Sequence, residues 1–361
     1  MTLTPEQKYT LIVRSLEEVL GDEKMLGILK TRDLKVYWGT APTGKIHIGY
    51  FVPIAKIADF LRAGCEVTVL IADLHAALDN MKAPMDLIEK RAEYYEMAIK
   101  AMLVSIRAPI EKIRFVRGTE YQYNKQYVLD MHKLSMAVSV NDAKRAGSEV
   151  VKQTDNPLLS GLVYPGMQAI DEEHLGVDAQ FGGIDQRKIF VYAEEIHLMN
   201  QMVPSLADGK MSSSDAQSKI GLEDTNAQIK KKVLAAFCEE KNTSHNPVLI
   251  FISKFVFNTF LLSSTPTFTI LIKKTNETRV YNSYEELVFD FGEGSIHPLD
   301  LKVALVEYLV GLISPVRDEI LKHKDVIDQA YPASVKVKYE KPKKAGKKHP
   351  KAEENKPADK Q

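Results

Sequence analysis

Two widely separated segments of the chain combine residue types that suit phosphate binding. Residues 43–50 join a predicted strand to a predicted helix and contain His47. Free backbone N–H groups and the helix dipole at such a junction attract phosphate, and a His adds a donor that can meet charge developing on an α-phosphorus. Residues 210–214 begin with Lys210 after an Ala-Asp-Gly turn, from which a mobile cation can close over leaving pyrophosphate. Alone, each segment also fits a purely structural role, as a helix-capping loop or as a solvated Ser loop.

A third segment, residues 164–171, places polar side chains on one face of a predicted helix. Pro165 is typical of a first helical turn. Spacings of four and three residues then put Tyr164, Gln168 and Asp171 in one stripe. A stripe of phenol, amide and carboxylate does not fit a hydrophobic seam. It predicts a binding site for a polar ligand, and the alternative is a solvent-facing polar helix.

Together, these segments resemble the signatures of class I aminoacyl-tRNA synthetases. Residues 43–50 are similar to the HIGH motif and residues 210–214 to the KMSKS motif, in the order in which the family carries them. Tyr50 stands where the commoner motif has a second His, and Ser213 where it has a second Lys. Both replacements resemble the eukaryotic and archaeal tyrosyl branch, and they leave Lys210 with a larger share of the phosphate charge.

The third segment narrows the resemblance to the tyrosyl-tRNA synthetases. Residues 164–171 are similar to that family's amino-acid pocket, and residues 182–186 to its ribose- and substrate-binding loop. The similarity extends from residue 4 to about residue 332 and is nearest to the cytoplasmic enzymes of eukaryotes. It implies a tyrosine–tRNA ligase that makes tyrosyl-adenylate from L-tyrosine and ATP, with Mg²⁺ accompanying the ATP, and transfers the tyrosyl group to tRNA(Tyr).

The resemblance also implies roles for individual residues. It assigns tyrosine binding to Tyr37, Tyr164, Gln168, Asp171, Gln186 and Asp73, ATP binding to Gly49, Gly183, Asp185, Met211, Ser212, Ser213 and Ser214, and catalysis to His47, Lys210 and Thr43. Tyr37 and Asp171 would hydrogen-bond the substrate phenol. Tyr164 and Gln168 would hold its ammonium group, with help from Asp73. A pair built to bond a hydroxyl leaves polar groups unpaired when phenylalanine enters, so it would select tyrosine.

Three further assignments concern the carboxylate, the ribose and the RNA. Gln186 would reach the tyrosine carboxylate side and Asp185 the ATP ribose. Asp300, within residues 297–302, would accept hydrogen bonds from a splayed anticodon base. A first-turn or N-cap Asp explains the same residue at least as well. No metal-ligand cluster is expected in the chain.

Two rival functions remain open from the sequence. A tryptophanyl-tRNA synthetase would share the fold, and the Tyr37 and Asp171 pair argues against it. A non-catalytic RNA-binding or signalling paralogue would also share the fold. The presence of His47, Lys210, Asp171 and Gln186 argues against this second rival, while the short connection before residue 196 argues for it.

The order of predicted elements indicates an α/β fold with a Rossmann-like parallel sheet. Strands are predicted at residues 34–39, 66–72, 113–116, 177–183 and 196–199, and helices at residues 4–29, from 46, 85–102, from 185, 225–238 and 299–323. Alternation at this spacing is typical of a doubly wound sheet, whose ligands bind at the carboxyl ends of the strands. We expect a catalytic domain at 1–220 with a helical insertion at about 119–157. A mostly helical anticodon-binding domain is expected at 221–335, and a disordered Lys-rich tail at 336–361.

Two local features carry further expectations. The insertion contains Tyr127, Leu129, Met131, Leu134, Met136 and Val138, more apolar side chains than a small exposed helix pair needs. With the family resemblance, this predicts the contact surface of a homodimer. Between Gln186 and Met199 there is no Gly, Pro or Asn to reverse the chain. The short connection at Glu195 predicts a misplaced Lys210 and slow activation.

Composition limits the cellular setting. The chain has no apolar run of membrane-spanning length and no signal-peptide pattern. It has two Cys residues, which makes disulfides and structural zinc improbable and favours the reducing cytoplasm. The net charge of zero conceals a tail of about +6 and a body of about −6. The run 230–232 of three Lys could contact RNA or direct the protein to the nucleus, but a solvated helix face is the favoured interpretation.

Overall fold

The computed structural model describes residues 3–79, 84–150, 158–191, 196–206, 219–259 and 267–332 of the chain. Its strands are β1 (Glu18–Leu20), β2 (Lys35–Thr40), β3 (Glu66–Ile71), β4 (Ile113–Arg117), β5 (Ala179–Gly183), β6 (Ile196–Asn200), β7 (Phe268–Ile272) and β8 (Glu277–Tyr281). Its α-helices are α1 (Pro5–Val13), α2 (Asp22–Leu29), α3 (Phe51–Arg62), α4 (Asp73–Leu78), α5 (Ile88–Ser105), α6 (Lys125–Ala137), α7 (Val140–Ala146), α8 (Leu159–Leu175), α9 (Arg187–Phe190), α10 (Asn226–Ala235), α11 (Pro247–Phe251), α12 (Phe257–Thr259), α13 (Tyr284–Gly292), α14 (Pro298–Ile320) and α15 (Lys324–Ala330). The segment 210–214, with Lys210, Met211, Ser212, Ser213 and Ser214, lies outside the described residues, as does the tail 336–361.

The larger sheet has the order β1-β6-β5-β2-β3-β4. Strand β2 pairs in parallel with both β3 and β5, and the outer pairs β3–β4 and β5–β6 are parallel as well. Side chains on both faces of β3 are buried from Val67 to Ile71, as expected for a parallel sheet covered by helices on both faces. The predicted α/β class with a parallel sheet is confirmed.

The N-terminal region differs from the single helix predicted at residues 4–29. Two helices, α1 and α2, flank the short strand β1, which pairs antiparallel with β6. The backbone at Ser15 and Gly21 has φ of 59° and 84°, left-handed values that a continuous right-handed helix does not contain. These two turns bring β1 to the sheet edge.

The short connection that the sequence predicts between β5 and β6 contains a correspondingly short helix. Helix α9 spans only Arg187–Phe190, and residues 192–195 lie outside the described residues. Strand β6 still pairs with β5 through five consecutive positions, from Ala179 opposite Ile196 to Gly183 opposite Asn200. The strand therefore does not begin late. The expected displacement of Lys210 stays a prediction, since Lys210 is not among the described residues.

The part of the chain after residue 220 is mostly helical, with one antiparallel hairpin formed by β7 and β8. The inner face of β7, with Phe268, Ile270 and Ile272, is buried, and β7 packs on α14. Helices α14 and α15 also pack on α5 of the first part. One apolar core therefore runs from the sheet through Leu309 and Ile313 of α14 to Ile327 of α15.

No helix in the described ranges has the length and apolar composition needed to cross a bilayer.

Candidate active site

A cavity of about 380 Å³ opens where the carboxyl ends of β2, β5 and β6 converge. Ten residues that the sequence singled out line it together: Tyr37, Thr43, His47, Gly49, Tyr164, Gln168, Asp171, Gly183, Asp185 and Gln186. Residues 201–203, which follow β6, close another side. This is the position at which open α/β sheets bind ligands. The cavity therefore joins the candidate phosphate loop to the polar stripe of α8.

Asp171 forms the polar end of the cavity and is 1% exposed. Its Oδ1 atom accepts hydrogen bonds from the Tyr121 hydroxyl at 2.7 Å, the Gln122 amide at 2.9 Å and the Tyr127 hydroxyl at 2.9 Å. All three of these bonds, which come from described residues, end on Oδ1 and not on Oδ2. The three donors fix the carboxylate in one orientation and leave Oδ2 as an acceptor for a ligand donor.

Two of these donors reach Asp171 from the carboxyl end of β4. The strand ends at Arg117, and a single 3-10 turn, Gly118–Glu120, leads to Tyr121 and Gln122. A Cβ on Gly118 would lie 2.5 Å from Oε1 of Gln122. Only glycine therefore lets the Gln122 side chain pass this turn without a shift.

Tyr37 lies beside Asp171 at the same end and is 1% exposed. Its hydroxyl donates to the backbone oxygen of Gln168 at 3.4 Å. Burial, and then the charge of Asp171, raise the pKa of Tyr37 well above its ordinary value. The phenol is therefore neutral at all physiological pH values and can both donate and accept a hydrogen bond.

Helix α8 positions the rest of the polar stripe. It begins at Leu159, so Pro165 lies inside the helix and not in its first turn, where the sequence had placed it. The amide of Gln168 donates to Oε1 of Gln186 at 3.2 Å. The Tyr164 ring lies edge-on to His75, with ring centroids 4.6 Å apart. Amides, a phenol and an imidazole thus line the middle of the cavity.

His47 stands at the opposite end and is 7% exposed. Burial, with a smaller contribution from the charge of Lys219, lowers the pKa of His47 to about 4. Its Nδ1 accepts from the backbone N–H of Gly49 at 3.2 Å. The neutral ring must then carry its proton on Nε2, so His47 is a neutral hydrogen-bond donor at pH 7.

Several bonds hold the loop around His47 in place. Ile48 donates its backbone N–H to Ile220 at 2.8 Å. Arg91 donates from Nη1 to the backbone oxygen of Thr43 at 2.7 Å, and Tyr95 donates from its hydroxyl to that of Gly44, also at 2.7 Å. The carbonyl groups of residues 43 and 44 are thereby turned away from the ligand space. A rigid loop of this kind suits an anionic ligand, because it needs no rearrangement on binding.

One described residue that the sequence assigned to the substrate is not brought to the cavity. Asp73 does not line it, because its Oδ1 accepts from the Thr119 and Leu74 backbone N–H groups and its Oδ2 from the Thr119 hydroxyl at 2.7 Å. This geometry ties α4 to the turn after β4 and does not support contact with a substrate ammonium. Asp300 lies in the first turn of α14, is 6% exposed and accepts from the backbone N–H of Lys273 at 3.3 Å. This bond ties the hairpin to α14, and the anticodon assignment of Asp300 stays a prediction.

Among the residues of the cavity or its support that the sequence missed are Tyr121, Gln122, Tyr127 and His75. Tyr121 and Gln122 follow a parallel strand closely, and the rule that ligands bind at carboxyl ends could have found them. Tyr127 had been placed on an exposed dimer surface, but it is 1% exposed and points at Asp171. His75 is 2% exposed, and neither of its ring nitrogens has a hydrogen-bond partner among the described residues.

The described ranges contain no group of three or more His, Cys, Asp or Glu side chains arranged to hold a metal ion.

Comparisons with known proteins agree with this geometry. A family model described as tRNA synthetases class I (W and Y) matches residues 29–313. The cytoplasmic tyrosine–tRNA ligase of Gallus gallus is 53% identical over 347 residues, which cover 92% of this chain and 65% of the relative. The cytoplasmic tyrosine–tRNA ligase of Saccharomyces cerevisiae is 48% identical, with 97% of this chain and 94% of the relative covered. The chain therefore spans slightly less than two thirds of the length of the Gallus relative and nearly all of the Saccharomyces one.

Solved structures show the same similarity. The tyrosyl-tRNA synthetase of Pyrococcus horikoshii, complexed with L-tyrosine, has a TM-score of 0.84 at 26% identity and covers 91% of this chain and 99% of its own. The corresponding complex from Archaeoglobus fulgidus has a TM-score of 0.76 at 32% identity, and the match covers 88% of this chain and 100% of the Archaeoglobus chain. A tryptophanyl-tRNA synthetase from Giardia lamblia matches less well, with a TM-score of 0.64 at 17% identity.

Proposed function

The chain belongs to the class I tRNA synthetases of the tryptophan and tyrosine group, and from that premise we propose that it is a tyrosine–tRNA ligase of the cytoplasmic type. The observation that carries the proposal is the Asp171 carboxylate, whose Oδ1 is held by three donors while Oδ2 is left to the cavity. A phenol hydroxyl can donate to Oδ2 and accept from Tyr37, whose O–H would then turn from its 3.4 Å bond to the Gln168 backbone oxygen. An indole N–H donates but does not accept, which favours tyrosine over tryptophan.

The remaining parts of the substrate fit the other residues of the cavity. The amide pair Gln168–Gln186 and the Tyr164 hydroxyl are the polar groups next to the phenol end, and they suit the ammonium and carboxylate groups of an amino acid. His47, Thr43 and Gly49 lie at the far end, where Mg-ATP would place its triphosphate. Asp185 lies between the two ends and suits the ribose.

The proposed reaction has two steps. The tyrosine carboxylate oxygen attacks the α-phosphorus of Mg-ATP, the bond to the β-phosphate oxygen breaks, and pyrophosphate leaves. A terminal ribose hydroxyl of tRNA(Tyr) then attacks the tyrosyl carbonyl, loses its proton and releases AMP. No protein nucleophile is needed, so positioning and charge stabilisation supply the catalysis. His47 would donate from Nε2 to the phosphate, and Lys210 would neutralise the leaving pyrophosphate.

The proposal is tested by ATP–pyrophosphate exchange with single amino acids. Tyrosine should support exchange, while tryptophan and phenylalanine should stay near background. Exchange with tryptophan and not with tyrosine would refute the proposal and identify the chain as a tryptophanyl-tRNA synthetase. No exchange with any amino acid, in a chain that still binds tRNA, would support the non-catalytic paralogue.

The part after residue 220 is proposed to bind the anticodon of tRNA(Tyr). The relatives' names imply a tRNA substrate, and Lys230 and Lys231 are exposed on α10. Lys232 is engaged instead, because it donates to Oδ2 of Asp224 at 2.6 Å. Two of the three Lys residues are therefore placed to meet RNA phosphates. Electrophoretic mobility shifts with tRNA(Tyr), at two salt concentrations, test this role.

The second proposed partner is another copy of this chain. Met136 of α6, Val140 of α7 and Leu159 of α8 are 81%, 58% and 75% exposed. Val140 and Leu159 border a groove of about 220 Å³ that Leu134 and Val138 also line. Apolar exposure of this extent is typical of a protein interface. The surface overlaps the predicted one, except that Tyr127 belongs to the interior.

A further inference from the structure

A buried acid–imidazole pair, Glu172 and His197, lies outside the set of residues that line the cavity. Glu172 follows Asp171 on α8, and its side chain points away from the cavity. Its Oε1 lies 3.1 Å from Nε2 of His197 on β6. The side chains of His197 and Glu172 are 1% and 4% exposed. A hydrogen bond at this depth is stronger than one at the surface and costly to leave unmade.

The pair is extended by a stack of rings toward β5. The Phe190 ring lies parallel to His197, with centroids 4.7 Å apart and an angle of 14° between the planes. On its other side, Phe190 presses on the backbone of Gly182, where a Cβ would lie 2.8 Å from the Phe190 Cζ atom. Gly182 lines the cavity. The position of His197 is thus linked to two walls of the cavity, α8 and the end of β5.

Both elements joined by the pair have further anchors, and β6 pairs with β1 and β5 as far as Asn200. Helix α8 has an independent anchor, because Asp171 is bound by Tyr121, Gln122 and Tyr127. Strand β6 continues directly into Asn200 and residues 201–203, which line the cavity, and the chain then leads toward Lys210. Residues 201–203 follow the last of the strand pairs, so loosening the acid–imidazole pair should act there, where the chain leaves the sheet, and leave the tyrosine-binding face of α8 in place.

We infer that His197 and Glu172 are positioning residues that set the end of β6, and with it the approach to the triphosphate side, relative to the bound amino acid. The inference rests on the proposed function, since it concerns the activation step of that reaction. A displacement of the positioning groups by about 1 Å, even when it originates away from the reacting atoms, costs up to about a hundredfold in rate. The expected signature is a reduced rate constant for activation with unchanged tyrosine affinity.

The experiment compares variants that separate the bond from packing. His197→Gln places an amide donor near the former Nε2 and should retain most of the rate. His197→Phe keeps the ring on Phe190 but removes the bond, and it should lower kcat for tyrosine-dependent exchange roughly 10- to 100-fold. Its tyrosine Kd should stay within about twofold of wild type. Tyr308→Phe is the matched control, because it removes a part-buried 2.6 Å bond to Thr259, neither residue lines the cavity, and kcat should stay unchanged.

A double variant distinguishes positioning from stability. His197→Phe alone removes the imidazole partner of a buried carboxylate and can destabilise the fold, whereas Glu172→Leu with His197→Phe replaces the pair by apolar groups and should restore stability. The inference requires kcat to stay low in the double variant at a wild-type melting temperature. Recovery of kcat together with the melting temperature would overturn it. A wild-type chain without tyrosine-dependent exchange would instead refute the proposed function itself, so the two failures are distinct.

Discussion

Replacement of Asp171 by Asn tests the recognition of the substrate hydroxyl at a single atom. Asn retains Oδ1, which can still accept from the Tyr121, Gln122 and Tyr127 donors. Its Nδ2 takes the place of Oδ2 and presents two N–H groups instead of an acceptor. The substrate hydroxyl, which would donate to Oδ2, then faces a donor. The variant changes the character of one atom and keeps the volume of the side chain.

The size of the effect follows from the hydrogen bond that is lost. A bond to a charged group contributes about 1.5–3 kcal/mol, which corresponds to roughly a 10- to 150-fold change in a dissociation constant. We therefore expect the tyrosine Kd of Asp171→Asn to rise by about one to two orders of magnitude. Phenylalanine has no hydroxyl and makes no such bond in the wild type, so its Kd should change by less than about threefold. Selectivity between the two amino acids should shrink by the same factor.

Equilibrium binding of both amino acids, by calorimetry or by competition, measures this change. Tyr127→Phe is the matched control, because it removes one donor to Oδ1 and leaves Oδ2 in place. The loss of one neutral donor should weaken tyrosine binding by no more than about tenfold. Equal tyrosine affinity in wild type and Asp171→Asn would show that Oδ2 does not bind the phenol, and the pocket assignment would have to be abandoned.

Three further predictions concern the phosphate end and the proposed dimer. His47→Ala should lower the activation rate about 100- to 1000-fold with little change in tyrosine Kd. Because the pKa of His47 is lowered to about 4, the contribution of neutral His47 to the free energy of unfolding should be complete above the unfolded pKa of about 6.5 and lost as pH falls toward 4. Urea titrations at pH 4 to 7 should show this trend in the wild type and not in His47→Ala. Lys210→Ala should likewise slow single-turnover adenylate formation and leave tyrosine binding intact, and a weaker tyrosine Kd at an unchanged rate would contradict its role. Met136→Glu with Leu159→Glu should shift sedimentation at micromolar concentration from dimer to monomer, whereas Val104→Glu, at a position on α5 that is 60% exposed, should not, and a wild-type monomer would refute the interface.

The sheet and the stripe on α8 were predictable because local patterns determine them. The apolar runs of β2 and β3 and the four-and-three spacing of Tyr164, Gln168 and Asp171 are properties of neighbouring residues. The structure places all three stripe residues at one cavity. Where the periodicity was interrupted by a turn, as at Ser15, the prediction was wrong.

The donors to Asp171 were not predictable from spacing alone, because contacts across the fold determine them. Tyr127 lies 44 positions before Asp171 and on another helix, and its apolar neighbours on α6 made it resemble a surface residue. Asp73 shows the opposite error. It follows a strand end, as a ligand-binding carboxylate should, but its Oδ1 accepts from the backbone N–H groups of Leu74 and Thr119 and its Oδ2 from the Thr119 hydroxyl. A strand end supplies such donors as readily as it supplies a ligand site.

The apolar core that continues from the sheet into α14 and α15 limits how this chain can be divided or recombined. A cut near residue 221 would expose Leu309, Ile313 and Ile327, all at most 2% exposed in the intact chain, to water. Exchange of the C-terminal part with that of a distant relative would also need matching side chains on α5, on which α14 and α15 pack. The two parts have separate proposed tasks but a common interior. A substitution in that interior should therefore alter RNA recognition and amino-acid activation together, and neither property could change through this core without the other.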